Sequence, residues 1–342
     1  MTDFGVLQEG RLHRSAREAR RRRRRHRRVG GALGVIVLAA LALLVFMASG
    51  ASGPASRPAA PRPATGSIHA GAVQRPAATQ HTYGVAPGPA TERISAHFKL
   101  RLRGGLLFDV RSGRVLWSRE AGQELPIASL TKMMTALVVA AHTRPDARVL
   151  ITRQAIDFSG SGVGLLPLGK RVTVRALLYG LLLPSGNDAA IALGQHVAET
   201  QARFVAMMNE RAQAMGLRCT HFTTVSGIVD QGNRSCPSDL AVLAHAVLER
   251  PELARIVGSS SAVLPFPIKG GKLYLYNNNP LLRLGFPGTD GVKTGYTAAA
   301  GQCLVATARR GRKWLGVVLL HSQDPPDQAM RLLSAGFATR GA

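Results

Sequence analysis

Hydrophobic and polar positions divide the chain into three regimes. From Val29 to Ala48, 20 consecutive residues carry no charge and are mostly Val, Leu, Ile, Ala and Gly. As a helix such a run spans about 30 Å, the thickness of a bilayer's hydrocarbon core. From Gly50 to Ala96 no apolar period is sustained; Pro, Ala, Gly and Ser dominate, with Pro58, Pro61, Pro63, Pro76, Pro87 and Pro89 among them. A segment of this kind buries too little surface to fold alone, and it reads as a tether reaching roughly 40 Å or more. Beyond it the pattern becomes that of a folded domain. Two apolar runs, Gly105 to Val110 and Arg114 to Trp117, flank Arg111-Ser112-Gly113 and predict a hairpin. Residues 129 to 142, with Met133, Met134, Leu137, Val138 and Val139, contain no breaker and predict a helix buried on most sides. Helices are expected over Val174 to Leu183 and Asp188 to Glu199, joined by Pro184-Ser185-Gly186-Asn187, and over Gln201 to Met215, then a loop to about Cys236 and a helix from Asp239 to Leu248. Strands return at Gly291 to Tyr296, Gly301 to Ala308 and Lys313 to Leu320, before a last helix near Asp327 to Phe337. Strands at both ends with helices between predict an α+β fold: an antiparallel sheet of N- and C-terminal strands flanked by helices, with an inserted helical region.

Charge fixes the topology. Of the formal +25, residues 1 to 28 contribute +8, from 11 Arg against 3 acidic residues. A block such as Arg20 to Arg25 could bind nucleic acid or anionic lipid by releasing counterions. Its place directly before an apolar run decides against nucleic acid, and the positive-inside rule keeps it cytoplasmic while everything after about residue 50 is exported. The expected division is a basic cytoplasmic tail (1–28), a transmembrane signal-anchor (29–49), a flexible linker (50–95) and a folded domain (96–342), giving a single-pass protein of the cell membrane. Small residues from Ala48 to Ser52 would suit cleavage, whereas the apolar run exceeds the 7 to 15 residues of a removed signal and favours a retained anchor. The cysteines agree with export: Cys219 and Cys236 lie 17 positions apart in a loop region. They are either two free thiols or a disulfide contributing on the order of 3 kcal/mol through loop closure. Cys303 sits in an apolar run as the odd buried thiol, and no spacing resembles a zinc site.

Three short patterns carry candidate chemistry. In Ser129-Leu130-Thr131-Lys132, positions three apart on a helix share a face, so the amine can reach the hydroxyl. Serine needs a base, and a lysine of lowered pKa can be one. A helix start there would also aim backbone N–H groups at a developing oxyanion. Ser185-Gly186-Asn187 adds a second hydroxyl, able to relay a proton, and a carboxamide able to pair with a peptide group. Lys293-Thr294-Gly295 offers a cation and a hydroxyl to a carboxylate, and Gly295 leaves room for an extended substrate along the strand. Taken singly, a capped helix, a helix start and an edge strand with a protective lysine account for the same residues.

In this order and with these flanks, Pro126 to Ala136, Leu182 to Ala190 and Asp290 to Thr297, the three patterns resemble the active-site set of low-molecular-mass penicillin-binding proteins, the serine-type D-alanyl-D-alanine carboxypeptidase family. The likeness runs over roughly residues 100 to 340 and implies a β-lactamase/transpeptidase-like fold. It implies that Ser129 attacks the penultimate D-alanine carbonyl of a peptidoglycan stem peptide, Lys132 takes its proton, and Ser185 passes a proton to the leaving D-alanine. Asn187 would hold the acyl-side amide and Lys293 and Thr294 the carboxylate. Gly295 and Tyr296 would line the substrate, with the N–H groups of Ser129 and Tyr296 as oxyanion hole. β-Lactam antibiotics would acylate Ser129 as mimics of the dipeptide, and no metal or organic cofactor is called for. Many relatives carry a second β-rich domain and a C-terminal anchor, so the resemblance implies an anchor moved to the N-terminus; Tyr296 stands where relatives often have His. A secreted β-lactamase of the class A type would have Asp at Gly186 and a deacylating Glu in an ExxLN-like loop, and no such string lies between Asn187 and Lys293. A non-catalytic wall-binding or β-lactam-sensing protein of the same fold would not need Ser129, Lys132, Ser185 and Lys293 intact.

Overall fold

The computed structural model describes residues 83–88, 94–164, 166–228 and 232–339. The predicted basic tail, membrane span and most of the tether lie outside the described residues, and among the described residues no helix is long and apolar enough to cross a membrane. The strands are β1 (Ala86–Pro87), β2 (Leu102–Asp109), β3 (Arg114–Arg119), β4 (Leu125–Pro126), β5 (Arg148–Leu150) and β6 (Arg171–Thr173), followed by β7 (Arg234–Ser235), β8 (Ser261–Pro265), β9 (Lys272–Tyr276), β10 (Thr289–Thr297), β11 (Gly301–Arg310) and β12 (Lys313–Ser322). Six of them form one sheet in the order β1-β3-β2-β12-β11-β10. The first and last thirds of the folded domain thus meet at the β2–β12 pair, where Leu106 faces Val318 and Leu107 faces Val317. The sheet is antiparallel except for β1, which runs parallel to β3.

Both faces of the sheet are covered, which is why its strands read as continuous apolar runs. Leu107, Leu304, Val317 and Leu319 point to the C-terminal helix Pro325–Ala338 and pack with Ala329, Leu332 and Leu333. Their neighbours Leu106, Phe108, Val305, Val318 and Leu320 point the other way, into the larger core built on the helical region. That region centres on the helix Lys132–His142, whose residues Lys132 to Val139 are all buried. The helices Val174–Leu182, Asn187–Ala198, Gln201–Ala214 and Pro237–Leu248 lie close to the predicted ranges. Thr173 and Thr200 cap two of them, each accepting a backbone N–H in the first turn.

Two findings differ from the sequence pattern. Residues 83–88, placed in the tether for want of any apolar period, run beside β3, and the Tyr83 ring stacks on His245 at 3.6 Å. Backbone pairing, the Tyr83 ring and hydroxyl, and Val85 against the core hold them, and so short a set of contacts leaves no periodic signature. The stretch between Leu248 and Gly291 contains the helix Pro251–Gly258 and the hairpin β8–β9, neither of which was predicted. Cys219 and Cys236 are bridged, with Cα atoms 5.6 Å apart, and Cys303 is a buried free thiol.

Candidate functional site

Ser129 does not begin an α-helix. It lies in a 3-10 turn, Ala128–Thr131, and the α-helix starts at Lys132. A 3-10 turn has three residues per revolution, so positions three apart eclipse. Lys132 Nζ accordingly sits 2.7 Å from Ser129 Oγ. The amine is fully buried and has two further partners, Asn187 Oδ1 at 2.8 Å and the Ser226 carbonyl at 2.7 Å. A charged amine donates to all three. A neutral one has two N–H groups for Asn187 and Ser226, and its lone pair is left for the Ser129 hydroxyl proton. Burial, and then the cation of Lys293, push the Lys132 pKa well below the ordinary lysine value, with Asp188 pulling weakly the other way. The geometry therefore accommodates the basic, neutral form.

The second element is the turn before helix Asn187–Ala198. Ser185 occupies the left-handed region at φ 70°, which is uncommon for a residue with a β-carbon. Its Oγ is buried with no hydrogen-bond partner among the described residues. Asn187 joins this turn to the Lys132 amine. Its oxygen accepts from Lys132, its amide donates to the Ser159 carbonyl at 2.8 Å, and it is buried. As the first residue of its helix it points inward to the amine, so it positions Lys132. Asp188 accepts from the N–H groups of Val163 and Gly164, clamping the loop from Phe158 to Gly164 over the helix start.

The third element is the free edge of the sheet. Among the described residues β10 pairs with β11 alone, and its other edge faces the turn that carries Ser129. Gly295 is what allows the approach. A β-carbon there would lie 3.0 Å from the Ile127 carbonyl oxygen and 3.1 Å from Ser129 N. The missing side chain thus makes room for the nucleophile's own backbone, whereas the sequence pattern assigns that room to the substrate. Lys293 is buried, donates to the Thr294 carbonyl at 2.9 Å, and is pushed down to about 7 by burial. Tyr296 is 69% exposed.

These elements meet at a cleft of about 600 Å³. Ser129, Ser185, Thr294, Gly295 and Tyr296 form its wall, together with Ser161, Asn278, Gln302 and Cys303. Lys132, Asn187 and Lys293 lie beneath that wall. Sequence reasoning did not reach Ser161, Asn278 or Gln302, nor the carbonyls of Ser159 and Ser226. The run Phe158-Ser159-Gly160-Ser161-Gly162 and the triplet Asn277-Asn278-Asn279 are the signals that mark them. The carbonyls leave no signal, because any residue type supplies one. Among the described residues one group of metal-type donors occurs, Cys219, Cys236 and Asp239, and its two sulfurs are joined in the disulfide.

Residues 92–324 match the family profile described as D-alanyl-D-alanine carboxypeptidase. The D-alanyl-D-alanine carboxypeptidase DacF of Bacillus subtilis is 30% identical over 244 residues, which cover 69% of this chain and 62% of that protein. The carboxypeptidase DacB2 of Mycobacterium tuberculosis is 36% identical over 241 residues, covering 68% and 81%. The chain thus spans about three fifths of the length of the first curated relatives it matches. Among solved structures, the Streptomyces K15 DD-transpeptidase superposes with TM-score 0.66 at 33% identity, covering 71% of this chain and 100% of that one. A D-alanyl-D-alanine carboxypeptidase of M. tuberculosis gives 0.67 at 33% identity, covering 72% and 95%.

Proposed function

The chain belongs to the D-alanyl-D-alanine carboxypeptidase family, and from that premise we propose that it is a serine-type carboxypeptidase releasing the terminal D-alanine of peptidoglycan stem pentapeptides. The observation that carries the proposal is the 2.7 Å contact between Ser129 Oγ and the buried amine of Lys132. Ser129 attacks the penultimate carbonyl while Lys132 takes its proton. The tetrahedral oxyanion is held by the N–H groups of Ser129 and Tyr296, whose turn and strand the glycine at 295 lets come together. Ser185 passes a proton to the departing amine, a task suited to a hydroxyl that has no partner among the described residues. Lys293 and Thr294 hold the substrate's carboxylate, and the free edge of β10 takes the extended peptide by main-chain pairing. Asn187 keeps Lys132 aimed at Ser129. Water then cleaves the acyl-enzyme, and β-lactams follow the same first step.

The proposal extends to location: an N-terminal anchor over residues 29–49 holds the enzyme at the cell membrane with its catalytic domain outside. Support comes from the Arg block preceding an uncharged apolar run and from the Cys219–Cys236 bridge, since disulfides persist in oxidising compartments. The test is intact mass spectrometry of the full chain in detergent after incubation with penicillin, beside Ser129→Ala, with D-alanine release from a stem pentapeptide followed in parallel. One adduct on the native protein alone, with D-alanine released, is expected. An adduct without release points to a sensor or a transpeptidase, and no adduct removes Ser129 from the nucleophile's role.

A further inference from the structure

Three of the chain's five tyrosines are strongly exposed, and they lie on the wall of the cleft or on the hairpin that leads into it. Tyr296 is in the wall itself. Tyr274 and Tyr276 belong to β9, where they are 60% and 70% exposed. The hairpin β8–β9 alternates strictly. Leu273 and Leu275 face the core at 2% and 4% exposure, and Lys272, Tyr274 and Tyr276 face solvent. Across the pair, Val263 stands opposite Tyr274 and is itself 55% exposed. An alternating two-stranded ribbon normally places polar residues on its open face. Here that face carries two phenols, Val263, Pro265, Ser261 and one cation, and it covers nothing among the described residues.

The face is continuous with the cleft. Two residues beyond Tyr276, Asn278 lines the cleft. Its N–H donates to the Leu183 carbonyl and its amide to the Pro184 carbonyl, both at 3.1 Å, which stitches the end of β9 to the Ser185 turn. Residues two apart on one strand face are about 7 Å from each other. Tyr276 and Tyr274 therefore form a two-step platform running outward from the catalytic turn.

We propose that this platform, Tyr276, Tyr274 and Lys272, binds the carbohydrate strand from which the stem peptide branches. The inference rests on the function proposed above. Pyranose rings present flat C–H faces that stack on phenols, and each phenol hydroxyl can exchange hydrogen bonds with ring hydroxyls and acetamido groups. Lys272 adds a cation for a carboxylate on the sugar or on the peptide's first residues. Such a site makes the enzyme a reader of polymer-attached peptides: the glycan docks on the hairpin and the peptide end reaches Ser129.

The experiment uses the full chain in detergent, wild type beside Tyr274→Ala/Tyr276→Ala. D-Alanine release is measured on free stem pentapeptide and on soluble uncrosslinked glycan strands carrying the same peptide. Binding of peptide-free glycan strands is measured separately by calorimetry. The expected result is a KM on the polymer about tenfold higher in the variant, loss of glycan binding, and unchanged kcat/KM on free peptide and unchanged acylation by penicillin. Equal losses on both substrates, or no change on either, overturn the proposal. So does a variant that keeps glycan binding and instead loses association with anionic phospholipid vesicles. If wild type binds glycan strands but releases D-alanine from neither substrate, it is the proposed activity that fails and the glycan site that stands.

Discussion

Gly295 is the position where one added methyl group should do the most damage to chemistry with the least disturbance elsewhere. Its φ is not in the left-handed region, so alanine brings no backbone strain. What it brings is a β-carbon 3.0 Å from the Ile127 oxygen, 3.1 Å from Ser129 N and 3.2 Å from the Ala128 β-carbon. Ordinary van der Waals contact begins near 3.4 Å, so a gap of about 0.2 to 0.4 Å must open, and all three neighbours belong to the tight turn that carries the nucleophile. β10 cannot yield alone, because it is paired with β11 from Thr289 to Thr297. Overpacking of this size costs about 1 to 3 kcal/mol, or roughly 2 to 10 °C in melting temperature for a domain of this length. The same displacement moves the Ser129 N–H away from the oxyanion it serves. Losing one such donor costs about 10² to 10³ in rate. Gly295→Ala should therefore slow acylation by a fluorescent penicillin at least 30-fold, by roughly these magnitudes, while unfolding remains a single cooperative transition. Gly122→Ala, where a β-carbon meets nothing within 4 Å, is the control and should leave both quantities unchanged. Acylation at the wild-type rate in Gly295→Ala would show that the strand and the turn are not in the contact that the mechanism relies on.

Two further outcomes follow from the buried groups. Lys132 must be neutral to act as a base, and Lys293 must be charged to hold a carboxylate. kcat/KM on a stem peptide should therefore fall in acid as Lys132 gains its proton, and fall in alkali as Lys293, near 7 in the free enzyme, loses its own. Because Lys293 titrates near 7 when folded and near 10.5 when unfolded, the unfolded chain binds more protons between those values, so stability should rise with pH across that window. Denaturant midpoints from pH 6 to 10 test this, and a rise as steep in Lys293→Met as in wild type would contradict it. Ser185→Gly should relieve the positive φ and stabilise by about 1 kcal/mol, while turnover drops by roughly 10² to 10⁴ for lack of the relaying hydroxyl. Ser185→Ala should lose the same turnover without the gain in stability. A thermal melt and a D-alanine release assay separate the two variants, and full activity in either would exclude the relay.

Much of the fold was legible in the chain. The hairpin over residues 102–119, the three C-terminal strands and the main helices announce themselves because long apolar runs and turn residues are local properties. Ser129, Lys132, Ser185 and the Lys293 to Tyr296 segment were legible for a related reason, since their chemistry needs particular side chains at particular offsets. Tertiary structure supplied what depends on distant partners. The sheet order places β10 at an edge, and that position makes Gly295 a neighbour of Ile127 and Ser129 as well as part of the cleft wall. The contact of Asn187 with Lys132 was not legible, because only the helix packing brings residues 55 positions apart to 2.8 Å. The lowered pKa of Lys132 arises from burial and then from the nearby cation of Lys293, and the exposed tyrosines of β9 acquire a direction only once Asn278 is tied to the Ser185 turn. Side-chain identity and local period are written residue by residue, whereas dielectric environment, edge position and carbonyl partners are properties of the packed chain.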